Sequence, residues 1–397
     1  MSTIYDNFGV RPIINVSGAS TRVGGALMPD EVIESMRKAA EESVSMSELQ
    51  GAASRYISEV TGAEAGYVTS GASAGLTLAT AAILAGCDLG KIESLPRTEG
   101  FKNELIISRE HRNGYDHAAR LAGAILVEVG MNEITANAGV RRTEAWEYEA
   151  AINELTVGIY YSQGPDSHPP LIDVIKVAKK YDLPIIVDAA GELPPKENLR
   201  KFIEMGADLV AFSGGKGLRG PQSTGILCGK KHLITSVALQ NLDMDEFFAI
   251  WNPPSNLIDK DTLSGIPRHG IGRGFKVSKE NVIGLLTALK LFTEDAYESS
   301  YIKQKESLEF IASSITDETI DVRIHDPIEG SPILTINIDL DLHKKSAFDI
   351  SNELKNGSPG IFVQEVGLEQ GIITIHPLNL NKERTKLVTK RILKVIQ

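Results

Sequence analysis

From about residue 50 to 230, short apolar, β-branched runs alternate with stretches of helical periodicity. That alternation restricts the chain to βαβ units around a largely parallel sheet. The runs are GYVT (66–69), ELIIS (104–108), AILVEV (124–129), VGIYYS (157–162), PIIVDA (184–189), DLVAFS (208–213) and TGILCG (224–229). Most are continuously apolar rather than alternating, which predicts a sheet covered on both faces by helices such as 171–181 and 195–205. Only a glycine-rich loop separates DLVAFS from TGILCG, too short for a helical crossover, so this pair is expected to run antiparallel. The expected class is α/β, with a mostly parallel seven-stranded sheet.

Beyond a region rich in Pro, Gly and Asn (252–274), a helix over 278–294 leads to a smaller α/β segment with strands PILTINI (332–338), IFVQEV (361–366) and IITIHP (372–377). The closing helix carries Val388, Ile392 and Ile396 on one face, which suits packing on that small sheet. The first residues read as an extended arm with turns at Gly18 and Gly24-Gly25. The expected organisation is an arm (1–29), a large domain (30–277) and a small C-terminal domain (278–397).

A formal charge of −11 gives no global attraction to nucleic acid or anionic membrane, and no basic run supplies a local one. The uncharged stretch Ala65 to Cys87 could cross a bilayer by length, yet only five of its residues are Leu, Ile, Val or Phe. Its Gly, Ala, Ser and Thr content instead suits a helix packed closely on a sheet. Cys87 and Cys228 form neither a disulfide framework nor a metal clip, and no other residues present a metal-ligand pattern. With no secretory pattern at the N-terminus, a cytoplasmic protein is expected.

Three features fall at the carboxyl ends of strands, where open α/β sheets place their ligands. In TSGASAG, a turn of Ser70, Gly71, Ala72 and Ser73 leads into a helix and offers N–H groups and hydroxyls to an anion. A simple N-cap at Ser70 is the alternative. Asp188 closes the apolar strand PIIVDA, where a carboxylate needs a cation or several donors to stay ionised, unless it only caps the turn into Gly191. Lys216 stands among four glycines in FSGGKGLRGP, which allow close backbone approach to a ligand; taken alone it would be a solvated lysine. Together these features match pyridoxal 5'-phosphate: a phosphate for the cup and for Ser213, a pyridine nitrogen for Asp188 and an aldehyde for Lys216.

The segments TGAEAGYVTSGASAG, AGAILVEVG (122–130), GADLVAFSGGKGLRGPQSTGILCGKK (206–231) and GRGFKVSKENVIGLL (272–286) resemble the fold-type I pyridoxal-phosphate enzymes, in the branch related to bacterial selenocysteine synthase. Through NVSGASTRVGGALMP, ELQ and SREHRNGYDHA the chain is most similar to the D-glucosaminate-6-phosphate ammonia-lyases of that branch. The resemblance implies Lys216 as the cofactor-bonding lysine, Asp188 as the partner of the pyridine nitrogen and His111 as the residue stacked on the ring. It also implies a homodimer with shared sites, to which Arg22 and Gln50 contribute. Two departures stand out. Nothing corresponds to the RNA-binding region of selenocysteine synthases, which demotes selenium transfer, and Gly215 stands where the family often has aspartate.

The expected reaction is a dehydrating deamination of a small 2-amino-3-hydroxy acid such as D-glucosaminate or its 6-phosphate, with Lys216 as general base. Arg268, Arg273 and Lys276 are candidates for the substrate's carboxylate or distal phosphate. Three rival readings exist: a selenocysteine synthase-like transferase or other pyridoxal-phosphate enzyme, a non-catalytic binding module, and a serine hydrolase using Ser73 of GASAG with Asp188 and His232, His269 or His376. The hydrolase reading lacks an oxyanion loop and leaves the lysine loop unexplained.

Overall fold

The computed structural model describes residues 3–131, 141–243, 245–326, 331–339 and 341–397. In chain order its strands are β1 (Ile13–Val16), β2 (Ala65–Thr69), β3 (Glu104–Ser108), β4 (Ile125–Val129), β5 (Thr156–Ser162), β6 (Ile185–Asp188), β7 (Leu209–Ser213), β8 (Gly225–Gly229), β9 (Ile320–His325), β10 (Ile333–Ile338), β11 (Gly360–Val363) and β12 (Ile372–Ile375). They fall in two units, Pro29–Lys290 and a second made of Met1–Met28 with Leu291–Gln397.

In the first unit all seven expected runs form one sheet in the order β2-β8-β7-β6-β5-β3-β4. The pairs from β7 through β6, β5 and β3 to β4 are parallel, while β8 is antiparallel to both of its neighbours. Since β8 reverses direction on both sides, β2 points the same way as β7. The carboxyl ends of β2, β6 and β7 therefore share one edge. The register is tighter still: Gly225 lies opposite Thr69 on one side and Ser213 on the other, while Asp188 lies opposite Ala211.

The helix Ala72–Ala85 shows why the uncharged stretch is rich in small residues. It is buried along nearly its whole length, and Gly75 leaves only ordinary contact distance, 3.7 Å, between a hypothetical Cβ and Leu227 on the sheet. A helix this close to a sheet has no room for long side chains.

The exposed edge of β2 is closed by helix Met46–Thr61. Ser54 Oγ accepts from Gly66 N at 3.1 Å, while Gln50 accepts from Val68 N at 3.1 Å and donates to Val68 O at 2.9 Å. Side chains thus satisfy backbone groups that an edge strand leaves unpaired.

In the second unit β1 pairs in parallel with β11, and β12-β10-β9 form an antiparallel sheet. Ile14, Val16, Ile336, Val363, Ile375, Val388 and Ile392 are among its core. Two of these strands depart from expectation. The stretch read as an arm contains β1, and β9 lies in IDVRIH, whose outward Asp321, Arg323 and His325 mask its strand character. The division also falls after Lys290 rather than before 278. Helix Lys279–Thr293 places Leu285 and Ala288 against Gly214 and Gly220 of the lysine loop, so most of it belongs with the first unit.

Gln50→Leu leaves the N–H and C=O of Val68 buried and unpaired. The expected loss is about 2–4 kcal/mol of unfolding free energy in urea. An unchanged midpoint would show that this edge is held by other means.

Candidate active site

Lys216 leaves the sheet on a loop fixed by its own backbone. Gly214 N donates to Thr224 O at 2.9 Å, Gly220 N to Gly214 O at 2.8 Å and Arg219 N to Lys216 O at 2.9 Å. The glycines have steric reasons. A Cβ at Gly215 would lie 2.5 Å from Gln222 Cα, and one at Gly217 would overlap the carbonyl of Leu193. The loop therefore lies flat on the turn that follows β6, with the Lys216 amine 3.9 Å from where a Gly191 Cβ would stand.

That turn begins with Asp188, whose Oδ1 accepts from Ala190 N at 3.1 Å. Burial pushes the Asp188 carboxyl above its usual range, against the pull of the Ala190 N–H, the Lys216 ammonium and Tyr160. Tyr160, fully buried on the neighbouring strand, has its hydroxyl raised well above the ordinary value by burial and by the charges of Asp188 and Asp116. Glu192, four residues beyond Asp188, is likewise raised, first by burial and then by Asp188, while Lys201 and Lys216 oppose the shift. Neither Tyr160 nor Glu192 is marked in the sequence; their roles follow only from strand parity and the path of the turn.

The β2 turn differs from a simple N-cap at Ser70. Gly71 is the N-cap, at φ 129°, a backbone region that favours glycine, and no side chain caps the helix. Its first backbone bond, Gly75 N to Gly71 O at 3.0 Å, leaves the N–H groups of Ala72, Ser73 and Ala74 without intrahelical acceptors. These donors, and Ser213 across Gly225, share the edge that carries Asp188.

His111 ends the 3-10 turn after β3 and is 4% exposed. Its ring meets Tyr161 edge-on, 4.3 Å between centroids. Burial lowers its pKa to about 4, so the imidazole is neutral at physiological pH.

The sequence-marked basic residues separate. A cavity of about 500 Å³ brings together Gln50, Arg273 and Lys276 with Tyr67, Trp251 and Phe275. Within it Arg273 is ion-paired to Asp243, and Gln50 is committed to β2. Arg268 is exposed, its backbone N–H bonded to Glu93. Arg22 belongs to the other unit and pairs with Glu365 at 2.8 Å. Of the hydrolase candidates, His232 follows the end of β8, at the edge of the sheet opposite Ser73, His269 faces Asp243 and His376 belongs to the other unit. Cys228 is buried and Cys87 exposed.

Residues 13–245 match the family model described as L-seryl-tRNA selenium transferase. The chain belongs to that family. Over 98% of its length it is 29% identical to a 5'-C-glycyluridine monooxygenase-decarboxylase from Streptomyces sp, covering 90% of that protein. Over 99% it is 28% identical to a D-glucosaminate-6-phosphate ammonia lyase from Salmonella typhimurium (strain 14028s / SGSC 2262), covering 98% of it. A solved D-glucosaminate-6-phosphate ammonia-lyase superposes with a TM-score of 0.79 at 26% identity, over 100% of this chain and 98% of that one. The cysteine desulfurase CsdA from Escherichia coli shares the fold, with a TM-score of 0.57 at 15% identity.

The selenium transferase family member described here is thus a pyridoxal 5'-phosphate-dependent enzyme of fold type I. Its residues fit that cofactor. Asp188 is a half-buried carboxylate whose desolvation outweighs its partners, and a protonated ring nitrogen would supply the missing countercharge. The uncapped helix start suits a phosphate. No group of His, Cys, Asp and Glu among the described residues could hold a metal, and no described helix is long and apolar enough to cross a membrane.

The His111 ring should titrate near pH 4 by NMR, well below the ordinary 6.5. Because its folded value is depressed, its stabilising contribution is complete above about pH 6.5 and is lost as pH falls toward 4. A midpoint near 6.5 would contradict the buried placement.

Proposed function

We propose that the protein is a lyase that removes water and ammonia from a 2-amino-3-hydroxy acid, a sugar-derived one such as D-glucosaminate or its 6-phosphate, leaving a 2-keto-3-deoxy acid. What carries this reading is the placement of Lys216 on the turn after Asp188, in a chain similar to an ammonia lyase over almost the whole length of both. The protein would work in the cytoplasm as a homodimer on small amino acids, its charge of −11 unsuited to a nucleic-acid partner.

Bound pyridoxal 5'-phosphate supplies an electron sink that makes the substrate's α-hydrogen acidic. The chain's own residues do the rest. Lys216 would hold the cofactor's aldehyde, and its amine would serve as the base that takes the substrate's α-proton. Asp188 keeps the ring nitrogen protonated, since an opposite charge at a few ångströms favours the charged form by about 1 to 3 pKa units. The N–H groups of Ala72 and Ser73, with Ser70, Gly71 and Ser213, hold the phosphate. His111, neutral and apolar-faced, covers the ring without adding charge. Arg273 and Lys276 remain the candidates for the substrate's anionic end, with Arg268, Gln50 and Arg22 as further candidates.

Borohydride reduction of the holoenzyme should fix the cofactor on Lys216, and Lys216→Ala should lose the visible absorption band. With D-glucosaminate 6-phosphate, ammonia and keto acid should appear together, and Asp188→Asn should lower kcat about 10²-fold or more. Label on another lysine would overturn the assignment.

The Streptomyces relative supports a second reading, oxygen-consuming decarboxylation of an α-amino acid at the same lysine. Oxygen uptake and carbon dioxide release, in place of keto acid, would select it.

A further inference from the structure

The turn on which the lysine loop lies carries two carboxyl groups that feel the charge of Lys216, and only one has a role above. The Lys216 amine stands 3.9 Å from where a Cβ of Gly191, the residue before Glu192, would lie. Asp188 is fixed at the end of β6 by the Ala190 N–H. Glu192 differs in every respect that matters for moving a proton. Its backbone is pinned, the N–H donating to Ala189 O at 3.1 Å and the C=O accepting from Asn198 Nδ2 at 2.7 Å. Its carboxyl is half-buried, as that of Asp188 is, but unlike Asp188 it makes no hydrogen bond or ion pair among the described residues. The charged groups facing it are Asp188 from the end of β6, Lys201 from helix Asn198–Met205 and Lys216 from the glycine loop. The loop and the turn are in direct register, since Gly217 lies flat on Leu193, the residue after Glu192.

A half-buried carboxyl without hydrogen bonds loses solvation and gains nothing structural in exchange. We propose that Glu192 is the proton relay of Lys216, an inference that rests on the lyase reading. The substrate's α C–H bond breaks, its electron pair staying with the substrate and its proton passing to the Lys216 nitrogen. The Glu192 O–H proton joins the β-oxygen as the C–O bond breaks with its pair, and water leaves. The proton on Lys216 then crosses to the Glu192 carboxylate, which restores both groups. No oxidant or reductant enters.

The test uses the holoenzyme and the variants Glu192→Gln and Glu192→Asp. Without substrate, the pH midpoint of the visible band should fall by about one unit in the Gln variant, because a carboxylate that favours positive charge on Lys216 is gone. The Asp variant should stay near the parent. With D-glucosaminate 6-phosphate, kcat of the Gln variant should fall about 10²-fold with KM changed less than about threefold, and Asp should recover at least about a tenth of the parent rate. A Gln variant that titrates like the parent, or that keeps kcat within about threefold of it, overturns the relay. If the parent does not act on this substrate but the band shifts as stated, the lyase reading fails while the pairing of Glu192 with Lys216 stands.

Discussion

A carboxylate carried to the mouth of a sheet by an apolar strand is the constraint around which the functional edge is organised. Asp188 follows Ile185, Ile186 and Val187, all fully buried, so its own strand gives it no solvent. Most of what surrounds it is a response to that placement. Lys216 supplies positive charge, the Ala190 N–H supplies a donor, and Tyr160 fills the adjoining interior with a ring and one polar atom. These partners leave the group above its ordinary pKa, so a cationic ring nitrogen would complete it. The site is complementary to a charge that the polypeptide lacks.

The antiparallel strand β8 makes the convergence possible. It lets β2 and β7 flank a single glycine, Gly225, with their ends side by side. Added bulk at Gly225 would meet the backbone of Gly71 and Ala72, so the helix start and the lysine loop's exit strand are spaced by one missing side chain. The start of helix Ala72–Ala85 and the loop that carries Lys216 are thereby anchored on neighbouring strand ends.

Much of this was legible in the sequence because strands buried on both faces leave continuous apolar runs. All seven runs in the first unit became strands, and the short glycine loop gave the antiparallel turn. Lys216 and Asp188 stood out because each is a charge at the end of an apolar run. Glu192 carried no such signal, since GELPP reads as an ordinary polar turn. Gln50 shows a role that the sequence did not signal: its amide bonds the backbone of Val68 on an edge strand. The strand β9 hid behind alternating charges that face outward, and β1 lacked any nearby partner to betray it.

The pairing of β1 with β11 has a consequence for biosynthesis. Ile13 lies opposite Gly360, so β1 has no mate until β11, far along the chain, has been made. Contacts this distant in sequence form slowly, because a very long loop must close before they give any return. The sheet that carries Lys216 draws its strands from residues 65 to 229 and can assemble meanwhile. Vectorial synthesis would therefore let that sheet form first, with β1 held unpaired until a late closure step.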